Sequence, residues 1–225
     1  MPVERHFRMT GTMASHFRNR KAITPSRTSK IILGSVAAVL LALLPALFIV
    51  RAFFVDYYRI PQNGMYPSLP SGSLLFATKH PYAVSLQVKR GDIIVFTRDE
   101  DDGKRGDIVV FTRDPDRRRY NYIWRVVGLP GETIKATGAS LVINGQPVAR
   151  ERVREEQGML IFRERVGEAT YEVAIRQSPP DPPPPDTSVT VPPDHFFVMG
   201  DNRHNAFDSR YFGPIPFGAI IGRKL

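Results

Sequence analysis

The sequence has no cysteine, so it offers neither a disulfide framework nor a thiolate metal site. It has five histidines, and none of them forms a metal-ligand pair with another at helical spacing. They stand at His6, His16, His80, His195 and His204. We therefore expect no metal and no other cofactor.

A basic groove for nucleic acid is also missing. The formal net charge is +9, but the first 30 residues account for +6 of it and the remaining 195 residues for +3. Because the excess is concentrated in an N-terminal tail, it does not predict a nucleic-acid-binding face, and we expect no nucleic-acid partner.

One long run without charge follows that tail. Residues 31–50 are twenty residues long, enough to cross a bilayer as a helix, and Pro45 inside the run is tolerated in such helices. A buried core helix or a cleaved signal peptide fits less well, because the run has no polar face, is too long and precedes no small-residue cleavage site. A basic tail before the span predicts that residues 1–30 are cytoplasmic and that residues 51–225 lie outside the bacterial cytoplasmic membrane.

Four aromatic residues follow the apolar run, at Phe53, Phe54, Tyr57 and Tyr58. They fit either an aromatic belt at the membrane interface or simple core packing, and the sequence leaves both open.

The chain after residue 59 has the pattern of antiparallel β structure. Short apolar, β-branched segments alternate with turn signals, and Asn144-Gly145 predicts a two-residue hairpin turn. Residues 178–193 are dense in proline and predict a stiff exposed loop. The predicted fold class is mainly β, with a single N-terminal transmembrane helix and an antiparallel β domain over 51–225.

An internal repeat lies within the β region. The segment at 89–99 recurs at 104–114 and differs from it only at Ile94 and Val109. A repeat this short does not make a solenoid, so we interpret it as a local duplication. We expect the second copy to form the strand that leads into residues 122–128, and the first copy to be a surplus arm or loop.

Three stretches together resemble the type I signal peptidases. They are RIPQNGMYPSLPSG at 59–72, RGDIVVFTRDPDRRRYNYIWRVVGLPGETI at 105–134 and GDNRHNAFDSRYFGPIP at 200–216. Their order and spacing make the resemblance specific, and it covers most of residues 31–225. It implies a membrane-anchored β domain of signal-peptidase type.

The resemblance also implies a catalytic pair, which this chain lacks. The family uses a serine nucleophile before the Met of a Met-x-Pro pattern and a lysine base before Arg-Val-Val-Gly. Here those places hold Gly64 and Trp124, and the place of a lysine-orienting serine holds Ala206. A glycine has no side chain to attack with, and an indole N–H donates but cannot accept a proton.

Other family positions are retained or partly changed. The resemblance places substrate contacts at Gln62, Asn63, Met65 and Pro67, where Gln62 stands for an oxyanion-holding serine. His204 and Phe212 replace a usual aspartate and tryptophan. The retained scaffold residues are Asp201, Asn202, Arg203, Asp208 and Arg210, and the resemblance implies that Asp208 pairs with Arg210.

Three functional hypotheses follow. The first is a pseudopeptidase that binds a preprotein, or another secreted or pilus-like client, at the outer membrane face without cutting it. The second is an active signal peptidase with an unrecognised nucleophile and base, and Ser68, Ser71 and Ser73 are serines that lie near position 64 in the sequence. The third is a decaying gene copy.

Overall fold

The computed structural model describes residues 27–99, 119–178 and 180–225. The chain divides into two compact units, residues 1–46 and residues 47–225. The first unit holds most of one long helix, and the second holds all of the β structure.

Helix α1 spans Arg27–Phe53 and contains the whole predicted apolar run, with Pro45 inside it. Its segment Gly34–Phe53 has a mean hydropathy of 2.5, so by length and composition this helix can cross a membrane. The helix is longer than the apolar run. It includes residues 27–30 before the run and residues 51–53, beginning with Arg51, after it.

The four aromatic residues after the apolar run divide into two groups. Phe53, Phe54 and Tyr57 are exposed, whereas Tyr58 is buried in the core. Tyr57 and Tyr58 are neighbours on one strand, and neighbouring strand residues point to opposite faces. The belt interpretation therefore remains open for three of the residues, and core packing applies to Tyr58.

Within the described residues, fourteen strands form three antiparallel sheets. In chain order they are β1 (Val55–Arg59), β2 (Leu74–Lys79), β3 (Ile93–Asp99), β4 (Arg119–Gly128), β5 (Thr133–Thr137), β6 (Ser140–Ile143), β7 (Gln146–Pro147), β8 (Ala149–Glu156), β9 (Met159–Val166), β10 (Ala169–Arg176), β11 (Thr187–Thr190), β12 (His195–Met199), β13 (Ile215–Pro216) and β14 (Ile220–Lys224). The central sheet has the order β1-β2-β14-β3-β4-β12-β13, and the two others are β10-β9-β8 and β11-β5-β6-β7.

The central sheet is buried on both faces around β4 and β12. Along β12, Phe196 and Val198 enter one apolar cluster while Phe197 and Met199 enter a second one. The alternation follows from the two-residue period of a strand. The first cluster also contains Trp124 of β4, so this strand carries its indole into the interior of the domain.

The apolar segments predicted as strands are confirmed where they lie within the described residues, at β2, β3, β4, β6, β9, β10 and β12. Several other strands were missed, and β8 is the longest of them. Its sequence ARERVREE is almost entirely exposed and has no apolar face. It is held by pairing with β9 and by surface ion pairs such as Arg154–Glu172, a combination that hydrophobic patterning does not detect.

The predicted hairpin turn is confirmed. Asn144 and Gly145 have φ of 51° and 78°, and Ile143 pairs with Gln146 across the turn. Two positive φ angles in succession are the requirement of the turn type that Asn-Gly favours. The proline-dense segment 178–193, predicted to be an exposed loop, contains the short strand β11, Thr187–Thr190, which pairs with β5, and Val191 after it is buried, so this part of the prediction is wrong.

The expectation for the repeat is wrong for its first copy. Residues 93–99 of this copy form β3, which pairs with β4 on one side and β14 on the other. Ile94, Val95 and Phe96 are fully buried there. The second copy lies outside the described residues. Because the two copies are nearly identical, local sequence preference gave no basis for choosing between them.

We predict that either of two 15-residue deletions leaves the β domain folded. Removing 100–114 or removing 89–103 leaves one repeat copy before Pro115, and the two products differ only by Ile94 or Val109 at one position. A buried isoleucine replaced by valine costs about 0.5–1.5 kcal/mol. Guanidinium unfolding should therefore show the 89–103 deletion to be less stable by that amount. Loss of the cooperative transition in the 100–114 deletion would contradict this prediction.

Candidate active site

Three segments meet at the place where the resemblance locates the catalytic pair. The loop 60–69 carries Gly64, strand β4 carries Trp124, and the turn after β12 carries Ala206. The loop is fixed by its own backbone, since the amide of Leu69 donates to the carbonyl of Met65 at 2.8 Å. It is also tied to the turn, because the amide of Asn202 donates to the carbonyl of Gly64 at 3.0 Å.

The Trp124 indole lies against the backbone of Gly64. A Cβ atom built on Gly64 would stand 2.6 Å from Cη2 and 2.8 Å from Cζ3 of the indole. Both distances are far shorter than a contact between carbon atoms at optimal separation. The tip of the indole therefore occupies the volume that a serine side chain at 64 would need.

Gly200 and Ala206 complete this close packing. A Cβ atom on Gly200 would lie 2.3 Å from Cβ of Ala206, 2.7 Å from the carbonyl oxygen of Gly64 and 3.0 Å from Cζ3 of Trp124. A glycine is required at 200 for this approach. Gly128 is similar, since its Cβ would lie 2.8 Å from the Ile134 side chain, so a side chain at either glycine would require its neighbours to shift.

A small, mostly apolar pocket remains beside the indole. Its volume is about 20 Å³, room for about one water molecule. It is lined by Ile60, Pro61, Gln62, Gly64, Met65, Tyr122, Ile123 and Trp124. Trp124 is 2% exposed, and its indole nitrogen is buried without a hydrogen-bond partner among the described residues.

The four expected substrate-contact residues are not all brought together. Gln62 and Met65 line the pocket. Asn63 instead supports the loop, because its side-chain oxygen accepts a 2.8 Å hydrogen bond from the amide of Ser71. Pro67 lines a separate cavity of about 470 Å³ together with Ser68 and Arg125.

Buried ion pairs hold the turn after β12 in place. Arg125 makes two hydrogen bonds to Asp201, at 2.7 and 2.6 Å, and Arg203 makes two to Glu164. These paired contacts fix orientation as well as charge. Sequence reasoning did not assign roles to Arg125 and Glu164. Arg125 stands in a quoted motif, and the two-residue period of β9 puts Glu164 on the same face as Phe162 and Val166, which is the signal that could have marked it as buried.

The predicted pair of Asp208 and Arg210 is confirmed. Both are buried, with hydrogen bonds of 2.8 Å from Nε and 2.9 Å from Nη2 of Arg210. Asp208 also accepts from the amide of Gly200 at 2.9 Å and caps the short helix α2, Ser209–Phe212. The carboxylate thus links this helix to the glycine that packs on Ala206.

Two ionisable groups near this turn are held in their neutral forms. Burial lowers the pKa of His204 below its usual value, and the nearby Arg210 and Arg176 lower it further. The Nδ1 atom of His204 is buried without a hydrogen-bond partner in the described part of the chain. Burial raises the pKa of the Tyr171 hydroxyl to about 12.

The serines near Gly64 have their hydroxyls engaged elsewhere. Ser68 accepts a 3.0 Å hydrogen bond from Arg125, while Ser71 and Ser73 donate to the backbone carbonyls of Pro61 and Pro70. An arginine does not accept a proton in proteins, so the Ser68 contact does not activate the hydroxyl.

Among the residues that the structure describes, no group of three or more His, Cys, Asp or Glu side chains is arranged to hold a metal ion.

Comparison with known proteins decides the family. Residues 32–225 match the family model described as signal peptidase, peptidase S26. The signal peptidase I of Pseudomonas aeruginosa is 36% identical over 210 residues, covering 80% of this chain and 68% of that protein. The chain belongs to the signal peptidase family. The signal peptidase I of Leptolyngbya laminosa is 33% identical over 177 residues, covering 78% of this chain and 70% of that protein.

A solved signal peptidase I from Enterococcus faecalis is 24% identical, covers 61% of this chain and 96% of that chain, and has a TM-score of 0.33. Family membership accounts for the antiparallel β domain and for the apolar N-terminal helix.

We predict that Gly64→Ser destabilises the domain by about 1–3 kcal/mol, the usual cost of overpacking, because the new Cβ meets the indole of Trp124. Gly218→Ser is the matched control, since a Cβ at 218 has no atom within 4 Å and neither glycine has a positive φ. Urea unfolding of both variants measures the difference. Equal stability of the two variants would show that the indole yields at no cost.

Proposed function

We propose that this chain is a signal peptidase family member that binds an extended segment of a secreted or membrane-tethered protein without cleaving it. The observation that carries the proposal is the contact between Trp124 and Gly64. In this contact an apolar ring occupies the volume that the side chain of a nucleophile at 64 would need.

A serine peptidase needs a hydroxyl that can reach the scissile carbonyl. Gly64 supplies no side chain, and the tip of the indole lies where one would start. Ser68 is the nearest alternative in the loop, but it lines the larger cavity together with Arg125 rather than the pocket beside Trp124. The geometry therefore favours loss of the nucleophile over its replacement.

A general base must accept the proton of the nucleophile. The indole of Trp124 cannot do so, and the lysine closest to Ser68 in the larger cavity, Lys224, is exposed. A lysine that serves as a general base is desolvated in an apolar pocket, and the exposed Lys224 has no such surroundings. An active peptidase with an unrecognised base is thus the less favoured function.

By resemblance, the family's extended-peptide groove runs past this pocket, which itself has room for about one water molecule. One wall of the pocket is the middle of β4, residues 122–124, and the other is the loop segment 60–65. A peptide that binds beside an extended strand does so through its main chain, in the manner of an added strand, and this mode needs no catalytic residue. Retention of the scaffold without the catalytic pair fits such a role.

We place residues 1–30 in the cytoplasm and the β domain on the outer side of the bacterial cytoplasmic membrane. The support is the basic tail before α1 and the length of its apolar segment. Protease added to the outside of spheroplasts should digest the β domain. Protection of the β domain from the protease would contradict this orientation.

We predict that the purified full-length protein in detergent does not process a preprotein that an ordinary signal peptidase cleaves in a parallel reaction. Without nucleophile and base, binding and polarisation leave an acceleration of roughly 10³–10⁴ over water, as in a serine protease stripped of its triad. Gel analysis of the preprotein over hours measures this. Cleavage at a rate close to that of the control enzyme, abolished by Ser68→Ala, would establish the alternative function.

The triple variant Gly64→Ser, Trp124→Lys, Ala206→Ser is tested in the same assay, and we expect it to recover cleavage of the preprotein. Each single substitution should stay inactive, because nucleophile and base act as a unit. The triple variant has the space that Gly64→Ser alone lacks, since the indole is gone.

A further inference from the structure

Strand β8 is an edge strand whose outer side pairs with no strand among the described residues. It ends the sheet β10-β9-β8, and seven of its eight residues are exposed. Such an edge presents unpaired main-chain N–H and C=O groups, which a further strand can pair with. The sequence of β8, ARERVREE, carries three arginines and three glutamates, so its charges decide which strand fits.

The charges of β8 are complementary to those of a second copy of β8 in antiparallel orientation. In the register that overlaps the whole strand, Arg150 lies opposite Glu155 of the second copy and Glu151 lies opposite Arg154, and each contact occurs twice by symmetry. Opposite charges directly across two strands stabilise the pair, and like charges destabilise it. A shift by one residue in either direction puts Arg152 opposite a second arginine. The charges therefore favour a single register.

A bulge in the middle of β8 makes this register geometrically possible. Residues opposite each other on two strands point to the same face of the sheet, and Arg150 and Glu155, five positions apart, would lie on opposite faces of a regular strand. The bulge shifts the alternation by one residue, so Arg150 pairs with Glu164 of β9 and Glu155 pairs with Leu160. Those two β9 residues are four positions apart, which places Arg150 and Glu155 on one face. The second opposed pair shares a face for the same reason.

The ion pairs within the chain do not compete strongly with such a contact. Arg152 contacts Glu155 at 2.9 Å and Arg154 contacts Glu172 at 2.7 Å, and all four side chains are partly or fully exposed. Exposed ion pairs contribute about 0–1 kcal/mol each, so their side chains change partner at little cost. Glu151 has no ion pair in the part of the chain that the structure describes and is free to take an arginine of a second copy.

We propose that two copies of this protein associate by antiparallel pairing of β8 with β8, which joins their three-stranded sheets into one continuous sheet. The contact is isologous, because the same strand is used by both copies about a two-fold axis. A contact confined to one strand is smaller than the usual stable interface of about 1,200–2,000 Å², so the association is weak and reversible. Because it depends on exposed charges, salt weakens it. This inference is independent of client binding.

The first test reads the register directly, since the chain has no cysteine of its own. Full-length Glu151→Cys and Arg154→Cys proteins are purified in detergent and oxidised, separately and as an equal mixture. In the proposed register these two positions are directly opposite, with Cβ atoms about 4.5–5.5 Å apart, which is close enough for a disulfide to form with a small adjustment. Two copies of the same position are offset by roughly 10 Å. We expect a disulfide-linked dimer from the mixture and little from either protein alone.

The second test reverses and then restores the charges. Glu155→Arg puts two arginines opposite each other at two places, whereas Arg150→Glu with Glu155→Arg exchanges the charges and keeps them opposite. Sedimentation equilibrium in detergent should show self-association weakened about tenfold by the single change and largely recovered in the double variant. Glu168→Arg, the same change of charge in an exposed turn outside β8, is the matched control and should associate like the wild type. Thermal unfolding checks that each variant is folded.

Three results would overturn the proposal. The first is a wild-type protein that stays monomeric at every concentration and at low salt. The second is self-association that Glu155→Arg weakens no more than Glu168→Arg does, since the contact then lies outside β8. The third is equal disulfide formation in the mixture and in the separate cysteine proteins, since the two strands then do not pair in this register.

Discussion

The packing of the Trp124 indole on the bare backbone of Gly64 is the constraint on which the rest of the site depends. The indole reaches within 2.6 Å of the position that a Cβ atom would take at 64. A ring of this size at 124 therefore requires a residue without a side chain at 64. Gly200 and Ala206 extend the same requirement for small groups. A bulky apolar ring and three small residues thus fill a volume that, by resemblance, holds a serine, a lysine and a second serine in active relatives.

The scaffold around this cluster does not depend on the chemistry. Arg125 with Asp201 and Arg203 with Glu164 are buried pairs that join β4 and β9 to the turn after β12. Removing one partner of such a pair costs about 3–5 kcal/mol, because a buried charge is left uncompensated. These pairs therefore hold the pocket walls in position through contacts that do not involve residues 64 and 124.

The sequence predicted the parts of this structure that depend on local pattern. The apolar run, most apolar strands and the Asn144-Gly145 turn follow from hydrophobic periodicity and turn chemistry, which act over a few residues. The choice between the repeat copies and the role of Glu164 did not follow, because each depends on long-range pairing. The charged strand β8 was missed because hairpin pairing with β9 and surface ion pairs hold it, without an apolar face. The contact between residues 64 and 124 belongs to this second group. The motifs placed both residues in one site, but only the fold brings the ring tip onto the glycine.

The coupling between Gly64 and Trp124 is the most direct test of this account. Gly64→Ser is introduced into wild type and into a Trp124→Leu background, whose shorter side chain lacks the ring that contacts Gly64, and unfolding free energies are compared. We predict that the penalty of Gly64→Ser largely disappears in the leucine background, with a coupling energy of about 1–3 kcal/mol. The same penalty in both backgrounds, to within about 0.5 kcal/mol, would show that the two residues act independently and would contradict the account.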